Sequence, residues 1–205
     1  MKAFDAYGAA AVAARAGEIA AAGYGAVGLY YFRRSGFKQL LTREVARAVT
    51  DAGLSLFSVY ENGAPTSAGY FTVDRGNADA HAAEIRAADA GQPGDSAIYF
   101  AVDYDAAPGD LPAIAAYFRE VGRVLRVLES LYRVSVYGSG LVCAHLLGAG
   151  LVTHTWLSQS TGFRGYAAFA PRANIVQGKV AHLFGLDVDM DTVRESAGAW
   201  RLAEE

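Results

Sequence analysis

The sequence predicts a closed α/β barrel of the TIM type, a (β/α)8 fold with eroded last helices, on three observations. Short runs of aromatic and β-branched residues alternate with longer alanine-rich amphipathic runs, the pattern of βα units around a parallel sheet. Eight strand-like runs are present in all. The 205 residues suit one compact barrel and would cramp two full domains, so residues 1–205 are expected to form a single barrel domain. An open doubly wound sheet is the competing architecture. Its dinucleotide fingerprint is missing, because Gly138-Ser139-Gly140 lacks a third glycine at the required spacing and no P-loop sequence occurs.

Element by element, Lys2 to Tyr7 reads as a short first strand, followed by an alanine-rich helix from Ala9 to Ala22 that stops at Gly23. Ala26 to Phe32 is the second strand, and a helix from Thr42 to Ala52 ends at Gly53, as a residue free to take positive φ should end it. Leu54 to Glu61 is the third strand, and after a Gly- and Pro-containing loop a helix covers Gly76 to Ala90, closed by Gly91. Ala97 to Asp105 is almost continuously apolar until its last positions, as a strand buried on both faces should be. A long helix from Leu111 to Leu131 follows, with Pro112 in its first turn. Val134 to Tyr137, a Gly-Ser-Gly turn and a short helix from Leu141 to Leu147 come next. Three further strands are read at Thr153 to Gln159, Asn174 to Gln177 and His182 to Asp189, joined by segments too short or too rich in Gly and Pro for full helices.

Composition narrows the function. With 53% of residues apolar and 19% charged, the chain can bury a large core and lacks the signature of disorder. A net charge of −3, with Lys2, Lys38 and Lys179 the only lysines, leaves no basic stripe for phosphates, so nucleic acid is not an expected partner. A lone Cys143 excludes a disulfide framework and reads as a small buried apolar group. His81, His145, His154 and His182 are isolated, without zinc-site spacing, and Ser139 and Ser158 stand outside any nucleophile elbow. No run of apolar residues is long enough to span a bilayer, and no leader is read at Met1-Lys2-Ala3. The expectation is a monomer made in the cytoplasm, with no membrane partner, then released or delivered to a cell wall.

The acidic residues carry the chemistry. In a barrel the active site sits at the C-terminal strand ends. There the sequence places Asp5 on the first strand, Glu61 on the third, Asp103 and Asp105 on the fourth, and Asp187, Asp189 and Asp191 on the eighth. Period-two alternation puts Asp103 with Asp105 on one face, and likewise Asp187, Asp189 and Asp191. Like charges held together raise the pKa of at least one member, which keeps a carboxyl group protonated for acid catalysis. Paired carboxyls without cysteine or a histidine cluster are the chemistry of glycoside hydrolysis. Strand-end aromatics, Tyr30, Tyr31, Tyr60, Tyr99, Tyr104, Tyr137 and Trp156, can stack on sugar rings where they face the mouth. A Mg²⁺ or Ca²⁺ site would use the same oxygen ligands.

The segments FDAYG, YFAVDYD, VYGSG, TWLSQS, VQG and GLDVDMD, in that order, resemble the glycoside-hydrolase-like domain once called DUF1906, a relative of the family 25 lysozymes (muramidases). The resemblance implies an incomplete barrel acting on peptidoglycan or a related glycan without a cofactor or metal. It implies that Asp5 matches the first-strand aspartate, that Asp103 and Asp105 match the fourth-strand Asp-x-Glu pair with Asp105 in the place of the proton-donating glutamate, and that Asp189 matches the aspartate near the C-terminus. Trp156 and Gln177 match residues lining the late strands. Asp105 is one methylene shorter than glutamate, and a shift of that size matters to catalysis.

The expected function is therefore a bacteriolytic glycosidase cleaving peptidoglycan or a related glycan. Asp105 is the expected general acid, or Glu61 where Asp105 does not reach, with Asp103, Asp5 and Asp189 assisting. Tyr30, Tyr60, Tyr137, Trp156 and Gln177 are the expected sugar contacts. A glycan-binding barrel without turnover and a Mg²⁺-dependent phosphohydrolase are the alternatives.

Overall fold

The structure, a computed structural model, describes residues 1–31, 40–194 and 197–203. Phe32, expected to end the second strand, lies outside the described residues. Eight strands close into one barrel in chain order. β1 (Lys2–Asp5), β2 (Ala26–Tyr31), β3 (Ser55–Tyr60), β4 (Ala97–Ala101), β5 (Arg133–Gly138), β6 (Thr155–Leu157) and β7 (Ile175–Leu183) pair in parallel. β8 (Leu186–Val193) runs antiparallel to both β7 and β1 and completes the ring.

Strand alternation sorts the apolar residues into two cores. Phe4, Val27, Leu29, Leu56, Ile98, Phe100, Val136 and Leu157 face the surrounding helices. Ala3, Ala26, Phe57, Val59, Tyr99, Trp156, Ile175 and Val193 fill the lumen. Being buried on both faces, β2 and β4 read as unbroken apolar runs. Gly28 marks the tightest point of the lumen. A Cβ there would lie 2.6 Å from Cη2 of Trp156 and 2.7 Å from Cβ of Asp5, so the indole and a side chain at position 28 cannot coexist.

The helices begin and end where capping chemistry dictates. The first expected helix is interrupted at Arg15 (φ −115°), giving α1 (Ala9–Ala14) and α2 (Ala16–Ala21). Thr42 caps α3 (Arg43–Asp51) by accepting from the Val45 N–H. α4 (Val73–Ala90) starts three residues before Gly76, because Thr72 accepts from the Arg75 N–H at 3.1 Å, and it ends on Gly91 in the left-handed region. α5 (Leu111–Val127) stops short of Leu131, with Glu129 at φ 53° in the turn that follows. α6 (Gly140–Gly148) and α7 (Tyr166–Phe169) complete the set, the latter a single turn.

The late strands differ from the expected boundaries. The strand read at His182 to Asp189 is split by a turn at Phe184 and Gly185, whose φ values of 55° and 73° are those of a two-residue hairpin turn. His182 therefore belongs to β7 and pairs with Asp187 of β8. Phenylalanine is not a turn residue by composition, so the sequence hid the reversal. The hairpin supplies the outer layer where an eighth helix would lie. Leu183, Phe184 and Leu186 pack on the helix-side core, and Phe184 meets Tyr24 edge-on at 5.9 Å. No helix among the described residues is long and apolar enough to cross a membrane.

Candidate active site

A cavity of about 160 Å³ opens at the C-terminal ends of the parallel strands. Three carboxyl groups line it: Glu61, which follows β3, Asp103, which follows β4, and Asp189 of β8. Tyr7, Tyr30, Tyr137 and Trp156 form its aromatic walls, and Gln159 and Gln177 its amide wall. Antiparallel pairing of β8 with β1 sets Asp189 opposite Asp5. Asp5 itself lies beneath the walls, 1% exposed.

Asp5 organises the wall through hydrogen bonds. Tyr30 Oη donates to Asp5 Oδ1 at 2.6 Å and Gln177 Nε2 donates to Oδ2 at 2.9 Å. The carbonyl oxygen of Gln177 accepts from Tyr137 Oη at 2.8 Å and from the Gln159 N–H at 3.2 Å. Gln159 Nε2 donates to Asp189 Oδ1 at 3.1 Å. Trp156 Nε1 donates to Asp191 Oδ1 at 3.0 Å. Tyr30 and Tyr137 thus commit their hydroxyl hydrogens to Asp5 and Gln177, so each meets a ligand as an acceptor. With three carboxyls beside them, the wall is rich in acceptors and fits a ligand that supplies hydroxyl donors.

The carboxyls titrate abnormally for physical reasons. Burial lifts Asp5 to about 7. Burial and the neighbouring Asp5 charge lift Asp191 well above the carboxylate range. Desolvation by the cavity walls raises both Asp103 and Asp189. A carboxyl raised in this way retains a proton closer to neutral pH, the condition for a general acid.

The structure brings together Glu61, Asp103, Asp189, Tyr30, Tyr137, Trp156 and Gln177 at one cavity, with Asp5 below. Asp105 stands apart from it. β4 ends at Ala101, so period two no longer governs the side chains that follow. The Asp105 carboxylate accepts from the Arg164 N–H at 2.7 Å and pairs with the Arg164 guanidinium. That clamp holds the segment before α7 against the start of α6, where the Leu141 N–H donates to Arg164 O at 2.8 Å. A Cβ on Gly140 would collide with the Gly165 carbonyl, which explains the Gly-Ser-Gly turn as a packing contact.

Tyr60, expected among the sugar contacts, also lies elsewhere. It alternates with Val59, so Val59 faces the cavity while Tyr60 points outward and donates to Asp79 at 3.2 Å. Of the other strand-end aromatics, Tyr31 donates to Gln92 at 2.8 Å, Tyr99 donates to the Ala197 carbonyl at 2.6 Å, and Tyr104 donates to Asp110 at 3.3 Å. Asp187 is exposed on the hairpin beside His182. Two wall residues went unread in the sequence. Tyr7, half exposed, stacks on Tyr30 with ring centroids 4.5 Å apart, and Gln159 bridges Gln177 and Asp189. In the expected strand from Lys2 to Tyr7, Tyr7 was legible as the second residue after Asp5, the spacing that returns to the same face, although β1 itself ends at Asp5.

Known proteins give the frame for this geometry. The Tat-secreted protein Rv2525c of Mycobacterium tuberculosis superposes with a TM-score of 0.81 at 21% identity, covering 97% of this chain and 98% of that one. A bacterial lysozyme from Streptomyces coelicolor gives 0.58 at 12% identity over 96% and 93% of the two chains. A muramidase from Trichobolus zukalii gives 0.58 at 13% over 96% and 94%. At these identities the likeness is one of fold. In sequence, FadG of Bacillus subtilis is 34% identical over 158 residues, 74% of this chain and 27% of that protein. YbfG of the same organism is 35% identical over 124 residues, 57% of this chain and 17% of YbfG. The chain thus spans about a quarter or less of these relatives. The family model for the Rv2525c-like, glycoside hydrolase-like domain matches residues 17–194, and the chain belongs to that family.

Proposed function

We propose that the protein is a glycoside hydrolase acting on peptidoglycan or a related cell-wall glycan by carboxyl acid/base catalysis. The observation that carries this reading is the convergence of Glu61, Asp103 and Asp189 on one aromatic-walled cavity that no Lys, Arg or His lines among the described residues. Asp103 is the general acid. It reaches the cavity, and desolvation raises its pKa, so its proton is available to the glycosidic oxygen as the bond to the anomeric carbon breaks. Glu61 or Asp189, ionised, then serves the anomeric side, steadying the oxocarbenium-like charge or activating water. Tyr7, half exposed, offers a ring face to the sugar, and the buried Trp156 backs the cavity behind it. Asp105 is not assigned the proton, because its carboxylate is held by Arg164.

Rv2525c is Tat-secreted. A wall glycan lies outside the cytoplasm, so this reading also requires export of the chain or its release on lysis.

Incubation of the purified protein with peptidoglycan tests the reading through release of reducing ends. The expected rate follows a bell with an acidic optimum, since Asp103 must keep its proton while a second carboxyl is ionised. EDTA is expected to leave it unchanged. A rate that EDTA abolishes, added Mg²⁺ restores and rising pH increases overturns the metal-free mechanism. One observation favours a second reading, a glycan-binding barrel without turnover: the acid in the lysozyme-like position, Asp105, is committed to Arg164. Binding of peptidoglycan with no reducing ends released selects that alternative.

A further inference from the structure

Beneath the cavity, Asp191 poses a problem of hydrogen bonding. It is 5% exposed and points into the lumen from β8, opposite Ala3 of β1 and Gln177 of β7. One oxygen accepts from Trp156. The other, Oδ2, is buried and receives no hydrogen bond from any donor among the described residues. A carboxylate oxygen left that way is costly, and a buried carboxyl beside another of like charge is costlier still. The groups that face it are Asp5 of β1, Asp189 of β8, Trp156 of β6 and Tyr99 of β4. None is a cation.

The partners decide which member of the pair ionises. Asp5 receives two donated hydrogens, from Tyr30 and Gln177, whereas Asp191 receives one, from Trp156. Donated hydrogen bonds favour the charged form. A proton on Asp191 Oδ2 gives the orphaned oxygen a role, because the neighbouring Asp5 carboxylate is an acceptor.

We propose that Asp191 is a positioning residue that remains a neutral carboxylic acid after Asp5 has ionised, donates its proton to Asp5, and thereby holds Asp5 as the anionic acceptor that orients Tyr30 and Gln177 at the cavity wall. The pair carries one proton between two oxygens, and no bond to substrate is involved. The effect on turnover rests on the hydrolase reading above; the protonation state does not.

Two variants test it. Asp191→Asn keeps an acceptor for Trp156 and an N–H donor for Asp5, whereas Asp191→Leu keeps neither. The expected result is that Asp191→Asn melts at or above the parent temperature at pH 8, with its advantage growing from pH 4 to pH 8, because the variant lacks the Asp191 carboxyl that the parent must hold un-ionised. Infrared difference spectra at pH 8 should show a protonated carboxyl C=O stretch in the parent that Asp191→Asn lacks. On peptidoglycan, Asp191→Leu should lose at least about tenfold in kcat, the lower end for misplaced supporting groups, and Asp191→Asn should restore it. Asp191→Asn melting below the parent at pH 8, or no protonated carboxyl in the spectrum, overturns the proposal. If the parent releases no reducing ends, the hydrolase reading fails, while melting and infrared still decide the state of Asp191.

Discussion

Asp5 and Asp79 are the same residue type at the same burial, each 1% exposed, and each accepts from tyrosine, Asp5 from one hydroxyl and Asp79 from three. On α4, Asp79 accepts from Tyr60, from Tyr70 at 2.7 Å and from Tyr117 at 2.9 Å, and it pairs with the Arg75 guanidinium at 3.0 Å. In the lumen, Asp5 accepts from Tyr30 and Gln177 but has Asp189 and Asp191 for neighbours. The first carboxylate is neutralised by a cation and ties the segment after β3 to α4, since Tyr70 and Arg75 also donate to the Asn62 carbonyl. The second is surrounded by its own sign. Identical burial thus yields a structural anchor in one region and a proton-holding cluster in the other, and the presence of one arginine makes the difference.

The largest expected effect is at the cavity. Asp103→Asn should lower the rate of glycan cleavage by about 10²- to 10⁴-fold, the usual worth of a general acid, with the melting temperature unchanged or raised. Measured reducing-end release that matches the parent transfers the acid role to Glu61.

Asp79→Ala should destabilise by about 3 kcal/mol, read as denaturant or thermal unfolding. It leaves Arg75 and three tyrosine hydroxyls without their shared acceptor. A loss well under that would show that water replaces the carboxylate and that the anchor is weak.

Asp5→Asn probes the opposite regime through pH. The folded pKa of Asp5, about 7, lies above the ordinary carboxyl value. Its contribution is therefore fully present below about pH 4 and lost as pH rises through 7. The Asn variant lacks that loss, so its stability relative to the parent should grow between pH 4 and 7, by about 1–3 kcal/mol. A flat difference across that range would mean Asp5 is ionised throughout.

The smallest effect is expected at Asp105. Its ion pair with Arg164 is partly exposed, so Asp105→Asn should cost under about 1 kcal/mol and leave cleavage within a few-fold of the parent. A loss approaching that of Asp103→Asn would return the acid role to Asp105.

These residues also measure how far sequence reading reaches. Along β3 alternation is reliable and carries on to the next residue, so that Glu61 arrives at the mouth as read, although the same rule, applied one residue earlier, sends Tyr60 outward to Asp79. Beyond β4 the rule fails. Asp103 and Asp105 were expected to share a face, yet the strand has ended at Ala101, and an arginine 59 positions further along decides where Asp105 points.

What the sequence determined by itself was the order of strands and helices, the two-sided burial of β2 and β4, and the gathering of acids at the C-terminal strand ends. These follow from local periodicity, which needs only neighbouring residues. Tertiary structure alone decided that β8 turns back as a hairpin, that Asp105 clamps a loop, and that Asp191 faces Asp5 without a cation between them. The reason is physical. Outside a hydrogen-bonded strand a side chain's direction, and inside a barrel a carboxyl's charge, are set by partners distant in sequence, and only closure of the ring brings those partners within reach.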